Sequence, residues 1–452
     1  MAAVVVAVAS ASAVAAAGGV DGAPGVGDPF FPDAGNGGYE VDRYHLDISY
    51  SPGSANLVGH ERLRATATEG LDRFDLDLRG LNPDRVKVNG EPATFSRSGQ
   101  ELIITPAAIL PANSPFTVQV DYAGTPQTIT DPDGSPDGWI RTDDGAWVAS
   151  EPQGSPSWFA ANDHPSDKAE FFLHATVPAG LKAIGNGRLV KVVRHHGLRT
   201  FEWSEPVPMA TYLATATIGR FNVTRSHLDG LRSLVAVDPQ VQGFGKTLAK
   251  IPQIVRFFST RFGPYPFKDV GAIADPSPAA YSLEVQTRPL FPGAVGEITL
   301  AHELAHQWFG DSVSLKTWPD IWLNEGFATF AQWLWGQHTG GESLKHDFRH
   351  SYATPASDSG FWDPPPGDPG TPANLFDGTI YDRGAMTLEA LREKIGSHDF
   401  YVTLRAWAHD HRWGNATTAQ FIHTAETASG KDLAHFFHVW LQRPGKPAPG
   451  SW

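Results

Sequence analysis

The chain of 452 residues contains no cysteine, and this absence excludes several classes of protein. Without thiols there is no disulfide scaffold, no cysteine-liganded zinc site and no cysteine nucleophile. The sequence also lacks an excess of positive charge, since its formal net charge is −14. A general nucleic-acid binder needs a basic face to neutralise phosphates, and charge-driven membrane binding needs basic residues too. We therefore expect neither nucleic acid nor a membrane surface as a partner.

Long apolar runs are almost absent as well. The exception is residues 2–17, which are nearly all Ala and Val and are followed by small residues. This run is too short for a comfortable membrane span but fits a secretory signal, although no Lys or Arg precedes it. We expect a signal peptide over residues 1–25 and a secreted protein; if the run is only a low-complexity tail, a cytoplasmic location is expected. No other segment is long and apolar enough for stable membrane insertion.

The apolar content is sufficient for a large core. Hydrophobic residues make up 41% of the chain, which excludes a wholly disordered protein, and the length allows two or three domains. Residues 19–38 are mostly Gly, Pro, Asp and Ala and are interpreted as a linker. From 39 to 228, short alternating runs separated by Pro and Gly turns predict an antiparallel β-domain.

The pattern changes after about residue 243, where apolar residues take helical spacing. We expect a mainly helical domain over 229–445, so that the predicted fold class is α+β. A loop rich in Pro, Gly, Asp and Ser separates the helical segments at 354–374. The predicted helices cover 297–309, 320–335, 379–395, 399–411, 418–429 and 432–441.

The second half of the chain contains a metal-binding pattern, HELAH at 302–306. His302 and His306 are four residues apart, so a helix presents both imidazoles on one face to a single zinc ion. Glu325 follows in an apolar run on the next predicted helix and is the expected third ligand. Two His and one Glu form a catalytic zinc set, and Glu303 is placed to act as general base toward water. Hydrolysis of an amide or similar acyl bond is the predicted chemistry.

These motifs and several others occur in an order that resembles the aminopeptidase N family, the gluzincin zinc aminopeptidases. The matching stretches are EPQGSPSWFAANDHPSDKAEF (151–171), PMATYLATATIGRF (208–221), FFSTRFGPYPF (257–267), AYSLEVQTRPLF (280–291), HELAHQWFGD (302–311), WPDIWLNEGFAT (318–329) and YDRGAMTLEALREKIG (381–396). The resemblance implies a β-domain beside a thermolysin-like zinc domain, one zinc ion, and peptide substrates with a free N-terminus.

The resemblance also implies roles for three further residues. Tyr381 corresponds to the family's tyrosine that stabilises the oxyanion, and Glu284 and Glu151 correspond to the glutamates that hold the substrate's α-ammonium group. The motif around Glu284 departs from the family, because only its glutamate is retained in YSLEV (281–285). Larger relatives continue into a closing domain that this sequence does not match, so we expect a site that is more open or partly covered by 354–374. The oligomeric state is not predicted.

Two other functions remain open at this point. A zinc endopeptidase or other metallohydrolase could use the same fold, and the reduced motif at 281–285 favours it slightly. A non-catalytic peptide-binding relative is the second, and the complete set of zinc-site residues disfavours it.

Overall fold

The computed structural model describes residues 18–450, and strands make up most of its first half. In chain order they are β1 (Val20–Asp21), β2 (Tyr39–Ser51), β3 (Asn56–Ala67), β4 (Leu71–Asp77), β5 (Asn82–Val88), β6 (Glu91–Pro92), β7 (Thr94–Ser98), β8 (Glu101–Thr105), β9 (Pro115–Gly124), β10 (Thr128–Thr130), β11 (Pro136–Arg141), β12 (Ala146–Ala149), β13 (Lys168–Pro178), β14 (Lys182–Gly185), β15 (Arg188–His195), β16 (Leu198–Ala210) and β17 (Ala216–Gly219). Short 3-10 turns lie at Ser155–Ser157 and Thr211–Leu213.

These strands form three sheets. The largest has eight strands in the order β15-β16-β13-β2-β3-β9-β5-β6, and the other two are β10-β11-β12-β17-β14 and β1-β4-β8-β7. In β2 and β13, buried and partly exposed side chains alternate, as the period of two along a strand requires. The predicted antiparallel arrangement holds for most pairs, but β13 pairs with β2 and β1 pairs with β4 in parallel.

Helices dominate the second half. Its elements are β18 (Asn222–Leu228), β19 (Leu231–Val237), α1 (Gly245–Leu248), α2 (Ile251–Phe262), β20 (Asp269–Ala274), β21 (Leu290–Phe291), α3 (Glu297–Ala305), β22 (Val313–Leu315), α4 (Trp322–His338), α5 (Leu344–Tyr352), α6 (Ser359–Trp362), α7 (Gly378–Ile395), α8 (Ser397–Asp410), β23 (Gly414–Ala416), α9 (Thr418–Ser429) and α10 (Ala434–Phe437). A π turn at His438–Gln442 follows α10, and 3-10 turns lie at Trp318–Asp320 and Pro372–Asn374. The predicted α+β class, with a β-domain before a helical domain, is confirmed.

A small sheet connects the two halves. Its order is β18-β19-β20-β21, with an antiparallel hairpin followed by parallel pairs. The predicted boundary between residues 228 and 229 falls in the turn of the β18–β19 hairpin. The sheet that leads into the helical domain therefore begins before that boundary, at Asn222.

The segment before β2 is not a free linker. Asp28 is buried, and its carboxylate accepts a hydrogen bond from Trp318 N at 2.8 Å and contacts His164 Nε2 at 3.2 Å. The ring of Phe31 packs edge-on against that of Trp318 at 5.9 Å. The linker interpretation of 19–38 is wrong because this polar segment finds long-range partners in both domains. Residues 1–17, which contain most of the predicted signal peptide, lie outside the described residues.

The 354–374 segment packs against helix α7. Arg383, buried in α7, donates to the carbonyl oxygens of Trp362 at 2.5 Å and Trp440 at 3.0 Å. Trp362 is itself fully buried, so the segment is anchored to the helical core. Within residues 18–450, no helix combines the length and apolarity that crossing a bilayer requires.

Candidate active site

Helices α3 and α4 bring the three predicted metal ligands together. His302 lies in the last turn of α3, His306 is the residue that caps it, and Glu325 lies in the first turn of α4. Glu325 Oε2 is 3.2 Å from His302 Nε2 and 3.4 Å from His306 Nε2. One ligand atom from each residue lies within 4.8 Å of the other two, so a single ion can contact all three.

In each imidazole, the Nδ1 atom, which is turned away from Glu325, faces an oxygen that can only accept a hydrogen bond. His302 Nδ1 is 3.1 Å from Gln332 Oε1, and His306 Nδ1 is 3.1 Å from the carbonyl oxygen of Phe309. Each Nδ1 must therefore carry the hydrogen, which leaves a lone pair on each Nε2 in the neutral ring. Two lone pairs and a carboxylate oxygen then converge with no hydrogen between them. This donor set fits zinc, and the partners on Nδ1 are those that orient a metal-bound histidine.

The pKa values of the three candidate ligands reflect how closely these ionisable groups lie together. Burial alone would raise the pKa of Glu325, but His306 and His302 outweigh it and hold that pKa at about 2. For His306, burial opposes protonation, yet Glu284 and Glu325 raise its pKa well above the usual value. The pKa of His302 is lowered, chiefly by burial. The site therefore stabilises positive charge between Glu325 and the imidazoles, whether as a proton or as a metal ion.

Glu303 points from the same helix into the same space. Its side chain is buried, and one of its oxygens lies within 4.8 Å of ligand atoms of His306 and Glu284. Burial raises the pKa of Glu303 well above its usual value; His306 opposes this, and the charges of Glu284 and Glu325 add to it. A carboxyl group with a raised pKa can take up a proton and release it at neutral pH.

Tyr381 is brought beside the metal ligands by a close crossing of α4 and α7. A Cβ atom added to Gly326 would lie 2.9 Å from the Cα atom of Gly384, so the helices can approach this closely only because neither residue has a side chain. The ring of Tyr381 stacks on that of His302, with centroids 6.0 Å apart and planes at 23°. Burial, followed by the charge of Glu325, raises the pKa of Tyr381 well above its usual value, which keeps its hydroxyl a hydrogen-bond donor.

The two predicted ammonium-binding glutamates come from different domains. Glu151 follows β12 of the β-domain, and Glu284 lies beside an antiparallel bridge between Leu283 and Leu290. Their carboxylates lie within 4.8 Å of one another, and both side chains are buried. Within the described chain, Glu151 Oε1 and Glu284 Oε1 have no hydrogen-bond partner, and His306 Nδ1 lies 4.0 Å from Glu284 Oε1. Two buried acceptors without donors form a site for a cation.

A cavity of about 440 Å³ unites these residues, since its lining includes all seven predicted site residues: Glu151, Glu284, His302, Glu303, His306, Glu325 and Tyr381. Beyond the two glutamates, the wall is formed by Asp133, Ser135, Tyr281, Pro292 and Phe376, among others. The site was expected to be more open or partly covered by 354–374. The cavity lining contains no residue of that loop, which is held against α7, although Phe376 just beyond it lines the cavity.

Two glutamines that support the site were not predicted. Gln332 lies seven residues after Glu325, two turns along α4, and therefore reaches the same helix face. Gln307 directly follows His306; its amide nitrogen donates to the carbonyl oxygen of Glu284 at 3.1 Å, and its Oε1 accepts from Thr287 N at 2.7 Å. The helical repeat could have identified Gln332. The role of Gln307 depends on the segment at 283–290 lying beside α3, which local sequence does not reveal.

Comparison with protein families gives two matches. Residues 40–213 match the model described as the peptidase M1 N-terminal domain, and residues 295–440 match the peptidase family M1 domain. The two matches cover the β-domain and the helices that carry the candidate metal ligands.

Individual relatives extend these matches over most of the chain. It is 26% identical to the tricorn protease-interacting factor F2 of Thermoplasma acidophilum and 26% identical to the leucyl aminopeptidase of Saccharolobus solfataricus. Each alignment covers 90% of this chain and 54% of the relative. The chain thus spans about half the length of the curated relatives it matches.

A solved structure is similar over its whole length. The M1 zinc metallopeptidase from Deinococcus radiodurans superimposes with a TM-score of 0.87 at 29% identity, covering 94% of this chain and 99% of that one. A mutant of that enzyme bound to a Tyr-Ser-Ala substrate superimposes with a TM-score of 0.86.

Proposed function

The chain belongs to peptidase family M1, and from that premise we propose that it is a zinc aminopeptidase that removes the N-terminal residue of peptides. The pairing of Glu151 with Glu284 carries this proposal. The two buried carboxylates lie within 4.8 Å of one another, and each has an oxygen without a hydrogen-bond partner among the described residues. They suit the ammonium group of a free peptide N-terminus, which offers three N–H donors and the compensating charge.

The position of this pair relative to the metal ligands supports removal of a single residue. An oxygen of Glu325 lies within 4.8 Å of oxygens of both Glu151 and Glu284. A peptide whose ammonium group contacts the pair has its first carbonyl group beside the metal ligands. The distance between the two sites is then the length of one residue, which fixes the bond that is cut.

We propose that His302, His306 and Glu325 hold one zinc ion. Bound there, zinc supplies Lewis acidity, which activates water and polarises a carbonyl group. The protein's own contribution is to keep both Nε2 atoms unprotonated through Gln332 and the Phe309 carbonyl group. The convergence of three acceptors supports this assignment.

Glu303 and Tyr381 have complementary roles in the proposed reaction. The carboxylate of Glu303 accepts a proton from the attacking water and returns it to the nitrogen of the leaving peptide. The hydroxyl of Tyr381 donates a hydrogen bond to the carbonyl oxygen as negative charge develops on it. The raised pKa values of both groups suit these roles, because Glu303 can hold the proton between the two transfers and Tyr381 stays neutral.

The endopeptidase alternative is disfavoured by the same pair of glutamates. A peptide that passed through the cavity without a free N-terminus would place its neutral backbone against two buried carboxylates, which costs free energy. The non-catalytic alternative is disfavoured because the described cavity brings together a full ligand set, a carboxylate at the general-base position and a phenol hydroxyl.

A panel of aminoacyl fluorogenic amides and their N-acetylated counterparts tests the function. We expect turnover of the free amines, little turnover of the acetylated forms, loss of activity with chelator and recovery with added zinc. Equal turnover of free and acetylated substrates would overturn the aminopeptidase proposal. Zinc-loaded protein that cleaves none of the free amines would support the non-catalytic alternative.

We also propose that the protein is exported. This proposal rests only on the Ala- and Val-rich composition of residues 2–17. Mass spectrometry of the protein recovered from the growth medium of the native organism tests it, with a mature N-terminus near residues 18–26 as the expected result. Protein found only inside the cell with residues 2–17 intact would contradict export.

A further inference from the structure

A second cluster of carboxylates lies outside the active site. Asp144, Asp238 and Asp275 each place a carboxylate oxygen within 4.8 Å of those of the other two. The fold explains why two of them meet: Asp238 and Asp275 directly follow β19 and β20, which are parallel neighbours and therefore end at the same edge of the sheet. Asp144 joins them from the turn between β11 and β12 in the β-domain.

Two of these carboxylates are deeply buried, and one of the two has an oxygen without a hydrogen-bond partner. Asp275 is 1% exposed and Asp238 is 2% exposed. Asp275 Oδ2 has no hydrogen-bond partner in the part of the chain that the structure describes. Burial, followed by the charges of Asp238 and Asp144, raises the pKa of Asp275 to about 8. Three acidic groups that share a buried space are costly unless a positive charge joins them.

The protein itself provides little compensation. The ion pair that the structure records at the cluster joins Arg220 Nε to Asp144 Oδ2 at 3.8 Å, and the Arg220 side chain is 69% exposed. Backbone N–H groups satisfy some oxygens: Gln240 N donates to Asp238 Oδ1 at 2.7 Å, and Arg220 N donates to Asp144 Oδ2 at 3.1 Å. Neither contact involves Asp275 Oδ2.

An adjoining cavity gives a small ion access to the cluster. Its volume is about 320 Å³, and Asp144, Asp275, Thr142, Gln240 and Ser277 are among its lining residues. Each of these five side chains carries an oxygen atom, as does that of Asp143, while Arg141 lines the same cavity with nitrogen donors. Carboxylate, amide and hydroxyl oxygens are hard ligands, and an all-oxygen set selects calcium or magnesium rather than zinc, which prefers nitrogen and sulfur. Calcium accepts more ligands and a less regular geometry than magnesium, which suits residues from three separate segments.

We propose that Asp144, Asp238 and Asp275 form a calcium site that joins the β-domain to the small sheet of the catalytic domain. Calcium neutralises the buried carboxylates and completes the coordination of Asp275 Oδ2. The site also lies next to segments that line the active-site cavity. Asp275 N donates to the carbonyl oxygen of Phe291 at 3.1 Å, and Pro292 and Tyr281 line that cavity. The calcium site shares no residue with the proposed zinc site, and its existence does not depend on the proposed peptidase activity.

Calorimetry and thermal melting of the zinc-loaded protein test the site. After dialysis against calcium-free buffer, calcium chloride is titrated into the protein, with magnesium chloride and sodium chloride as comparators. We expect one calcium ion per chain and a rise in Tm of roughly 2–5 °C at saturation. Magnesium is expected to bind more weakly. Zinc content is measured throughout, so that loss of the catalytic metal is not mistaken for a calcium effect.

Two substitutions make the test specific. Asp275→Asn keeps the shape of the side chain and should lower calcium affinity roughly tenfold or more, with no calcium-dependent rise in Tm. Asp229→Asn is the matched control, because Asp229 lies in the β18–β19 turn at the opposite end of β19 from Asp238, its side chain is 61% exposed, and it loses the same charge. This control should respond to calcium like the parent protein.

Three outcomes would overturn the proposal. The first is a parent protein with no saturable calcium binding. The second is Asp275→Asn binding calcium as tightly as the parent. The third is Asp229→Asn losing as much affinity as Asp275→Asn, which would indicate diffuse charge attraction.

Discussion

Glu151 and Glu284 approach within 4.8 Å of one another although one belongs to the β-domain and the other to the catalytic domain. Each has a buried oxygen without a hydrogen-bond partner among residues 18–450. Like charges at this separation repel, so the pair is stable only when a cation or a shared proton joins it. The pKa of Glu151 reflects that cost, because burial and then the charge of Glu284 raise it well above its usual value. A bound substrate ammonium group removes this repulsion between the two carboxylates. Substrate binding therefore stabilises the contact between the two domains.

Glu284→Gln is predicted to weaken the use of substrates with a free N-terminus. The amide keeps the shape but loses the negative charge, and a charge-assisted hydrogen bond contributes about 2–3 kcal/mol. We expect kcat/KM to fall roughly 30–100-fold, mainly through KM, and Glu151→Gln to behave similarly. Glu342→Gln is the matched control, since Glu342 is exposed on the same domain. Unchanged kinetics in Glu284→Gln would remove Glu284 from the ammonium site.

Glu303→Gln is predicted to lower the rate of catalysis while leaving zinc binding unchanged. The substitution removes the base but none of the proposed ligands, so zinc content should be unchanged while kcat falls about 10²–10⁴-fold. Glu325→Gln is the comparison, because losing a charged ligand should release zinc from the protein. Metal analysis of both variants, alongside steady-state kinetics, provides the measurement. A Glu303→Gln protein that has lost its zinc would contradict the assignment of Glu303 as the base.

Tyr381→Phe is predicted to lower kcat while leaving KM and zinc content nearly unchanged. Phenylalanine can keep the stacking on His302 and loses only the hydroxyl that would contact the developing oxyanion. Removing one such donor costs about 10²–10³ in kcat. Steady-state kinetics on the aminoacyl amides measure the effect. A Tyr381→Phe enzyme with full kcat would show that another group stabilises the oxyanion.

Gln332 is predicted to increase the zinc affinity of the site without coordinating the ion. Its Oε1 fixes the tautomer of His302, so Gln332→Leu should lower zinc affinity about 10–100-fold, as measured by competition with a chelating dye. Gln332→Glu restores an acceptor at the same position and should recover most of that affinity. Equal losses in both variants would indicate a packing defect in α4 rather than an orienting hydrogen bond.

The site could be predicted from sequence where its geometry is local. The spacing of His302 and His306 fixes one helix face, and the apolar surroundings of Glu325 indicated a buried carboxylate that needs a positive partner. The alternation in β2 and β13 likewise predicted strands, because successive side chains of a strand point to opposite faces of the sheet.

The features of the fold and of the site that the sequence did not predict depend on contacts between distant segments. The close crossing of α4 and α7 depends on contact between Gly326 and Gly384, and the sequence alone does not reveal that these two distant glycines touch. Asp28 lies in a Gly- and Pro-rich stretch that resembles a linker, and only its long-range partners reveal that it is buried. The neighbouring positions of Asp238 and Asp275 follow from the order of β19 and β20 in their sheet, which strand patterns alone leave undetermined.

Glu205 is predicted to make folding stability depend on pH. This side chain on β16 is 3% exposed, and burial raises its pKa to about 7 although Val207 N donates to its Oε1 at 3.0 Å. In the unfolded chain the same carboxyl group titrates near pH 4.5. Between these values the folded state holds a proton that the unfolded state has released. The free energy of unfolding therefore falls as the pH rises from about 4.5 to about 7, by on the order of 2–3 kcal/mol.

Glu205→Gln removes this titration and keeps an oxygen that accepts from Val207 N. Urea unfolding of both proteins at pH 5 and pH 8 measures the effect. At pH 5 the folded Glu205 is protonated and resembles glutamine, so the two proteins should differ little. At pH 8 the parent protein buries a carboxylate, and Glu205→Gln should be the more stable by on the order of 2 kcal/mol. Other groups that titrate are common to both proteins and cancel in the comparison. A stability difference that is the same at both pH values would show that Glu205 does not change its protonation on folding.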